Sequence, residues 1–197
     1  MRWTYPILVL YTLALFYLEY AYGQDYLRYY VTDIDGEVLL YGINTTVSTI
    51  LLVLTAYNFY LCFDALKSED SIKSYRVFYL LQTLIFLYLA LDERFMLHER
   101  IGYVLGIHDS FPLLTIGLAE LGVLFYFREV GVKGGKYAGQ LFLIGLLFTA
   151  MVIIDAFAPS KGLFRLASED LLKLWAVYFL FRYSLSHYRS RPQPVGE

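Results

Sequence analysis

The amino-acid sequence predicts an all-α, polytopic transmembrane bundle, and three observations lead there. The 197 residues are 58% hydrophobic and 19% aromatic with only 17% charged, far from the composition of a soluble globular domain. Six apolar stretches recur at roughly the length a bilayer demands. Lys and Arg concentrate in alternate connections between them. A formal net charge of -2 with no basic block excludes nucleic acid as a natural partner. The single cysteine, Cys62, excludes an internal disulfide and any Cys-based metal cluster. No polar stretch is long enough to bury a second core. The expectation is therefore one transmembrane domain over residues 1–188 and a disordered cytoplasmic tail over 189–197, where Arg191-Pro192-Gln193-Pro194 stands.

A helix crossing about 30 Å of hydrocarbon needs roughly 20 mostly apolar residues. The expected spans are residues 3–22, 38–63, 77–97, 111–127, 137–158 and 171–185, the fourth being short and the sixth interrupted by Lys173 and Arg182. The first also has the three-part form of a signal peptide: Arg2, an apolar run, then Ala21-Tyr22-Gly23. Glu19 is untypical beside a cleavage site, so the stretch is counted as a span.

Cytoplasmic connections carry the excess of Lys and Arg. Arg2, then Lys67, Lys73 and Arg76, then Arg128, Lys133 and Lys136, then Arg189 and Arg191 place nine cations on one side. The alternate connections hold four: Arg28, Arg100, Lys161 and Arg165. Both termini are accordingly expected in the cytoplasm. The twenty tyrosines cluster near span ends, as in Tyr26-Leu27-Arg28-Tyr29-Tyr30, where an amphipathic ring suits the headgroup layer. The glycine-containing loop at 131–135 lacks the strand, the spacing and the Ser or Thr of a phosphate-cradling loop, so no nucleotide or flavin is expected.

Function is concentrated in Asp92-Glu93-Arg94-Phe95-Met96-Leu97-His98-Glu99-Arg100, which closes the third span. Ionisable groups inside a membrane are kept when they pair, bind something or move protons. In this topology Asp92 lies roughly 8 Å inside the outer end of its helix and Glu120 about 14 Å down the next, at 1.5 Å per residue. Asp155, Asn44-Thr45-Thr46 and Glu19 share that outer half. Acids facing lipid are expensive, and acids facing one another or a cation are less so. A polar cavity open to the exterior follows.

On an unbroken helix Asp92 and Glu99, seven apart, fall within about 20° of each other, with Glu93 and His98 on either flank. If the helix ends near Leu97, His98 and Glu99 instead fold over the site from a loop. Oxygen ligands from Asp92, Glu93, Glu99, Glu120 and Asp155 with one imidazole from His98 suit a hard or borderline divalent cation such as Mg, Ca, Mn or Fe(II). That is the leading reading, for transport or as a bound metal. Crowded carboxylates can also relay protons. His98 with Asp92 or Glu93 could form the acid–base pair of a hydrolase acting on lipid headgroups. In the structural alternative, Arg94 and Arg100 neutralise the acids in a subunit that binds other proteins.

Lesser features read as structural. Ser168-Glu169-Asp170 has the form of an N-cap followed by first-turn acids. His108-Asp109 is a loop pair, and His187 is placed as a cytoplasmic headgroup contact. Asn44-Thr45-Thr46 is a glycosylation triplet that lies too deep for use. Gly117 and Gly122 are expected to permit close helix contact.

Leu91-Asp92-Glu93-Arg94-Phe95-Met96-Leu97-His98-Glu99 resembles the L-D-E-x-x-x-x-H-E signature of uncharacterised polytopic prokaryotic membrane proteins. The resemblance covers these nine residues. It implies a multi-pass protein of the prokaryotic cell (inner) membrane with a shared site. Members also carry an acid pair opening the last helix, which Glu169-Asp170 matches, while Lys173 departs from the pattern where another acid would stand. The motifs of ceramidase-type, di-iron, rhomboid, presenilin-type and prenyl-protein protease membrane enzymes do not occur.

Overall fold

The computed structural model describes residues 4–31, 42–66, 73–108, 110–133, 135–158, 162 and 164–190. Among them there are helices and connections and no strand. In chain order they are α1 (Thr4–Tyr22), α2 (Gln24–Val31), α3 (Ile43–Ala65), α4 (Lys73–Phe95), α5 (Leu97–Leu105), α6 (Ser110–Tyr126), α7 (Arg128–Gly131), α8 (Ala138–Phe157) and α9 (Arg165–Arg189). Among the described residues four stretches are long and apolar enough to cross a membrane: Thr4–Tyr22, Ile43–Ala65, Lys73–Phe95 and Ala138–Asp155. The chain is thus an all-helical protein of membrane character. The stretch expected at 111–127 forms an apolar helix of shorter length, Phe111–Tyr126. The stretch expected at 171–185 forms the longest helix, α9, but Arg165, Glu169, Asp170, Lys173, Arg182 and Arg189 keep it out of that set. Residues 32–41 and 191–197, with the expected start of the second span and the expected tail, lie outside the described residues.

Helix order departs from expectation in the connections. Gly23 adopts φ 82°, a left-handed geometry that only glycine takes at little cost, and its N–H closes on the Glu19 carbonyl at 2.9 Å. The chain then turns straight into α2, where Tyr26 and Tyr30 continue a row begun by Tyr22 at the end of α1, the tilted rings having centroids 4.9 and 5.6 Å apart. Met96 has φ 49° and breaks the third expected span into α4 and α5. A left-handed methionine is uncommon and costs about 1 kcal/mol or more.

The chain divides into two compact units. One comprises residues 1–47 and 145–176. Its core is Leu15, Leu27, Val31, Leu166, Ala167 and Leu171, flanked by Tyr11, Phe16, Leu18 and Tyr30. Polar groups tie it together: Trp175 donates to the Thr12 hydroxyl at 3.0 Å, and Thr45 donates to the Val31 carbonyl at 2.9 Å. Asn44 is fully buried and donates to Asp170 at 3.4 Å, which removes it as a glycosylation acceptor in the folded chain. Lys173 pairs with the same Asp170 at 3.2 Å.

The other unit comprises residues 48–144 and 177–197. Phe59 lies at its centre, ringed by Phe78, Tyr79, Phe86, Tyr183 and His187 with centroids 5.7–6.3 Å away. Buried aromatic rings at these separations add stabilisation beyond the area they remove from solvent. Asn58 donates to Ser184 at 3.0 Å, and Gln140 donates to the Phe179 carbonyl at 2.8 Å.

Candidate functional site

The break at Met96 creates the site. Asp92 is on the last turn of α4, and after the left-handed residue the chain re-enters a helix at Leu97. The Asp92 carboxylate then receives two donors from one residue: the His98 backbone N–H at 2.7 Å and the His98 Nδ1 at 2.8 Å. The first contact satisfies an N–H of the opening turn of α5, which has no side-chain cap of its own, as an acid at a helix N-terminus should. The second orients the imidazole. The Asp92 side chain is 5% exposed and that of His98 is 20% exposed, so a buried acid holds a ring that solvent or a ligand reaches.

An imidazole whose Nδ1 hydrogen bonds to a carboxylate presents Nε2 as its second functional atom. That arrangement orients metal-bound histidines and histidine bases alike. Beside the pair runs a groove of about 350 Å³ lined by Tyr88 of α4, Ile101 and Leu105 of α5, and Phe111, Pro112 and Thr115 of α6. Tyr88 precedes Asp92 by four residues and Ile101 follows His98 by three, so groove and pair share helix faces.

The other expected site residues are distributed differently. Glu99 is exposed on α5, and the seven-residue register with Asp92 does not carry across the break. Glu93 is half-buried on α4. Glu120 belongs to the same unit, but its carboxyl faces the Gln82 amide of α4 at 2.8 and 2.9 Å. Asp155 belongs to the first unit, where Arg165 engages both its carboxylate at 3.1 Å and its main-chain carbonyl at 3.2 Å. Among the described residues no three His, Cys, Asp or Glu side chains converge as a metal-ligand group. Asp109 lies outside the described residues.

Three lesser expectations are corrected. Ser168 is not an N-cap: α9 begins at Arg165, and the Ser168 N–H already bonds to the Phe164 carbonyl at 3.0 Å. His187 is not a headgroup contact but is fully buried, packed on Tyr183 and Tyr137 at 4.7 and 4.8 Å between ring centroids. Its Nδ1 meets the Tyr79 hydroxyl at 3.3 Å. Burial, with Lys133 nearby, pushes its pKa down to about 3, so the ring is neutral. Finally, a Cβ on Gly117 or Gly122 would meet nothing within 4 Å, so neither glycine is needed for close helix contact.

Two polar centres have partners that the sequence did not display. Glu19, 1% exposed, accepts the Ala167 N–H at 3.0 Å and caps α9 from another helix. Arg165 bridges Asp155 and Glu169, the latter at 3.6 Å. Burial and the neighbouring Asp170 raise the Glu169 carboxyl to about 7, although Arg165 and Lys173 oppose the rise. Glu169 precedes the apolar stretch that begins at residue 171.

Neither the curated proteins nor the solved structures contain a match to this chain. A family match covers residues 5–187, which takes in both units and the Asp92–His98 pair. The chain belongs to the family described as Domain of unknown function (DUF8692).

Proposed function

We propose that this chain is a multi-pass membrane protein that binds a divalent cation at the α4–α5 junction through His98, with Asp92 as the group that orients it. The observation that carries the reading is the double contact of Asp92 with the backbone N–H and Nδ1 of His98. In this reading Nε2 is the ligating atom, and the contact with Asp92 keeps the ring in one tautomer. Asp92 then acts on the metal through histidine, and a borderline cation such as Mn or Fe(II), which accepts an imidazole and completes its shell with water, suits a single protein ligand best. Six spans with both termini in the cytoplasm, as the Lys and Arg distribution requires, place the junction at the outer face. Ion transport and a resident metal both follow from such a site.

Titration of Mn²⁺ into the purified full chain in detergent, read by electron paramagnetic resonance, tests this. His98→Ala should abolish binding, and Asp92→Asn should weaken it about 10–100-fold, the usual cost of losing a carboxylate that supports a ligating histidine. Equal binding by all three proteins would overturn it.

The groove beside the pair favours a second reading. Its apolar lining suits an acyl chain, so His98 could serve as the base of a hydrolase that acts on a lipid headgroup. Release of a water-soluble headgroup from phospholipid vesicles by the wild type and not by His98→Ala would distinguish this activity from cation binding alone.

A further inference from the structure

Inside α6, Glu120 lies about 14 Å by helical rise from Phe111 and about 9 Å from Tyr126, the last residue of the helix. No ion-pair partner for it occurs among the described residues. Its one hydrogen-bonding neighbour is Gln82 of α4, whose side chain is fully buried. The Gln82 Nε2 sits 2.8 Å from one carboxyl oxygen and 2.9 Å from the other. The Gln82 Oε1 is buried and has no hydrogen-bond partner.

This geometry is unfavourable for an ionised carboxyl in either orientation of the amide. As placed, one amide donor serves two carboxylate oxygens while the amide carbonyl goes unpaired, and an unpaired buried acceptor costs much of its desolvation energy. With the amide flipped, its carbonyl would face a carboxylate. A single added proton removes both problems. The carboxyl O–H donates to Oε1 and the carboxyl C=O accepts from Nε2 once the amide turns about its soft terminal torsion.

We infer that Glu120 and Gln82 form a proton-binding site: Glu120 carries a proton in the resting protein and is joined to Gln82 as a neutral acid–amide ring between α4 and α6. Binding adds one proton to the carboxylate and releases nothing else. The site is separate from the cation site at His98.

The groups packed around α6 leave this proton without a competing charge. α4 contributes Gln82. From residues 177–189 of α9 comes Tyr183, whose hydroxyl donates to the Gly131 carbonyl at 2.9 Å. α5 carries His98, Glu99 and Arg100 toward one end of α6, with His98 held by Asp92. At the other end, Arg128 and Glu129 of α7 pair with each other at 3.6 Å. A carboxylate left in mid-membrane with only one amide for company would be strongly disfavoured.

Infrared spectroscopy of the full chain in lipid nanodiscs at pH 7 tests the inference. In a Glu169→Gln background, which removes the other glutamate raised to about 7, the chain should show a protonated-carboxyl C=O stretch that moves on ¹³C labelling of glutamate and is lost on adding Glu120→Gln. In Gln82→Leu the same band should shift to higher frequency, because the carboxyl C=O loses its donor. Absence of a label-sensitive band at pH 7, or its full retention in Glu120→Gln, would overturn the assignment. Should Glu120→Gln fail to fold, the Gln82→Leu spectrum decides, and an unshifted band there would be equally fatal.

Discussion

Glu19, at the end of α1, accepts the backbone N–H of Ala167 in the first turn of α9 at 3.0 Å. A helix N-terminus leaves several N–H groups unsatisfied, and here an acid from a distant part of the sequence reaches one of them. The contact makes the opening of α9 depend on α1 being in place.

Glu19→Ala should therefore lower the stability of the detergent-solubilised protein by about 1–3 kcal/mol, the cost of leaving a buried donor unpaired. Glu19→Gln keeps a carbonyl acceptor and should cost less than half as much. Apparent Tm values from a fluorescence melt check the order. Equal losses in the two variants would show that an amide carbonyl of the same shape does not replace the carboxyl group at this position.

Asp92→Asn should change the tautomer of His98. The carboxylate accepts from both the backbone N–H and Nδ1. An amide offers only one acceptor oxygen, so if that oxygen keeps the backbone contact its NH₂ group confronts Nδ1. The ring proton then belongs on Nε2. Selective ¹⁵N labelling of histidine reads the exchange directly as an interchange of the protonated and unprotonated nitrogen resonances. Unmoved resonances would show that Asp92 does not set the tautomer.

Gly131→Ala should destabilise the unit that contains Phe59. A Cβ at Gly131 would lie 3.0 Å from Leu124 Cδ2 and 3.2 Å from Phe78 Cε2, inside ordinary contact distance, and Phe78 is fully buried against Phe59 and His187. Overpacking of this kind costs roughly 1–3 kcal/mol. Gly117→Ala, where the added methyl meets nothing within 4 Å and alanine suits a helix interior better than glycine, is the control and should melt at or above the wild type.

The apolar runs were legible because bilayer length and composition constrain them strongly, and α1, α3, α4 and α8 appear where those runs lie. The short helices α2, α5 and α7 were not. They are held by contacts made elsewhere in the chain, such as the Asp92 cap of α5, which local composition does not display. Met96 gives no warning of its left-handed geometry, since glycine or asparagine usually marks such a position. One signal was available. Residues six apart lie about 120° from each other on a continuous helix, so any pairing of Asp92 with His98 requires a break between them. The burial of His187 likewise follows from its four-residue spacing to Tyr183, which sets both rings on one face of α9.

Glu169 supplies a pH dependence whose sign is fixed by its environment. Its carboxyl is raised from 4.5 in the unfolded chain to about 7 in the fold, chiefly by burial and then by Asp170. The folded state therefore binds the proton more tightly than the unfolded state. The stabilisation is fully present below pH 4.5 and is lost as pH rises toward and through 7, by an amount on the order of 1–3 kcal/mol. Glu169→Gln removes the ionisation while preserving shape. The variant should melt close to the wild type at pH 5 and several degrees higher at pH 8, with a flatter profile between. Parallel profiles for the two proteins would show that Glu169 titrates normally and that Arg165, 3.6 Å from its carboxylate, offsets its burial completely.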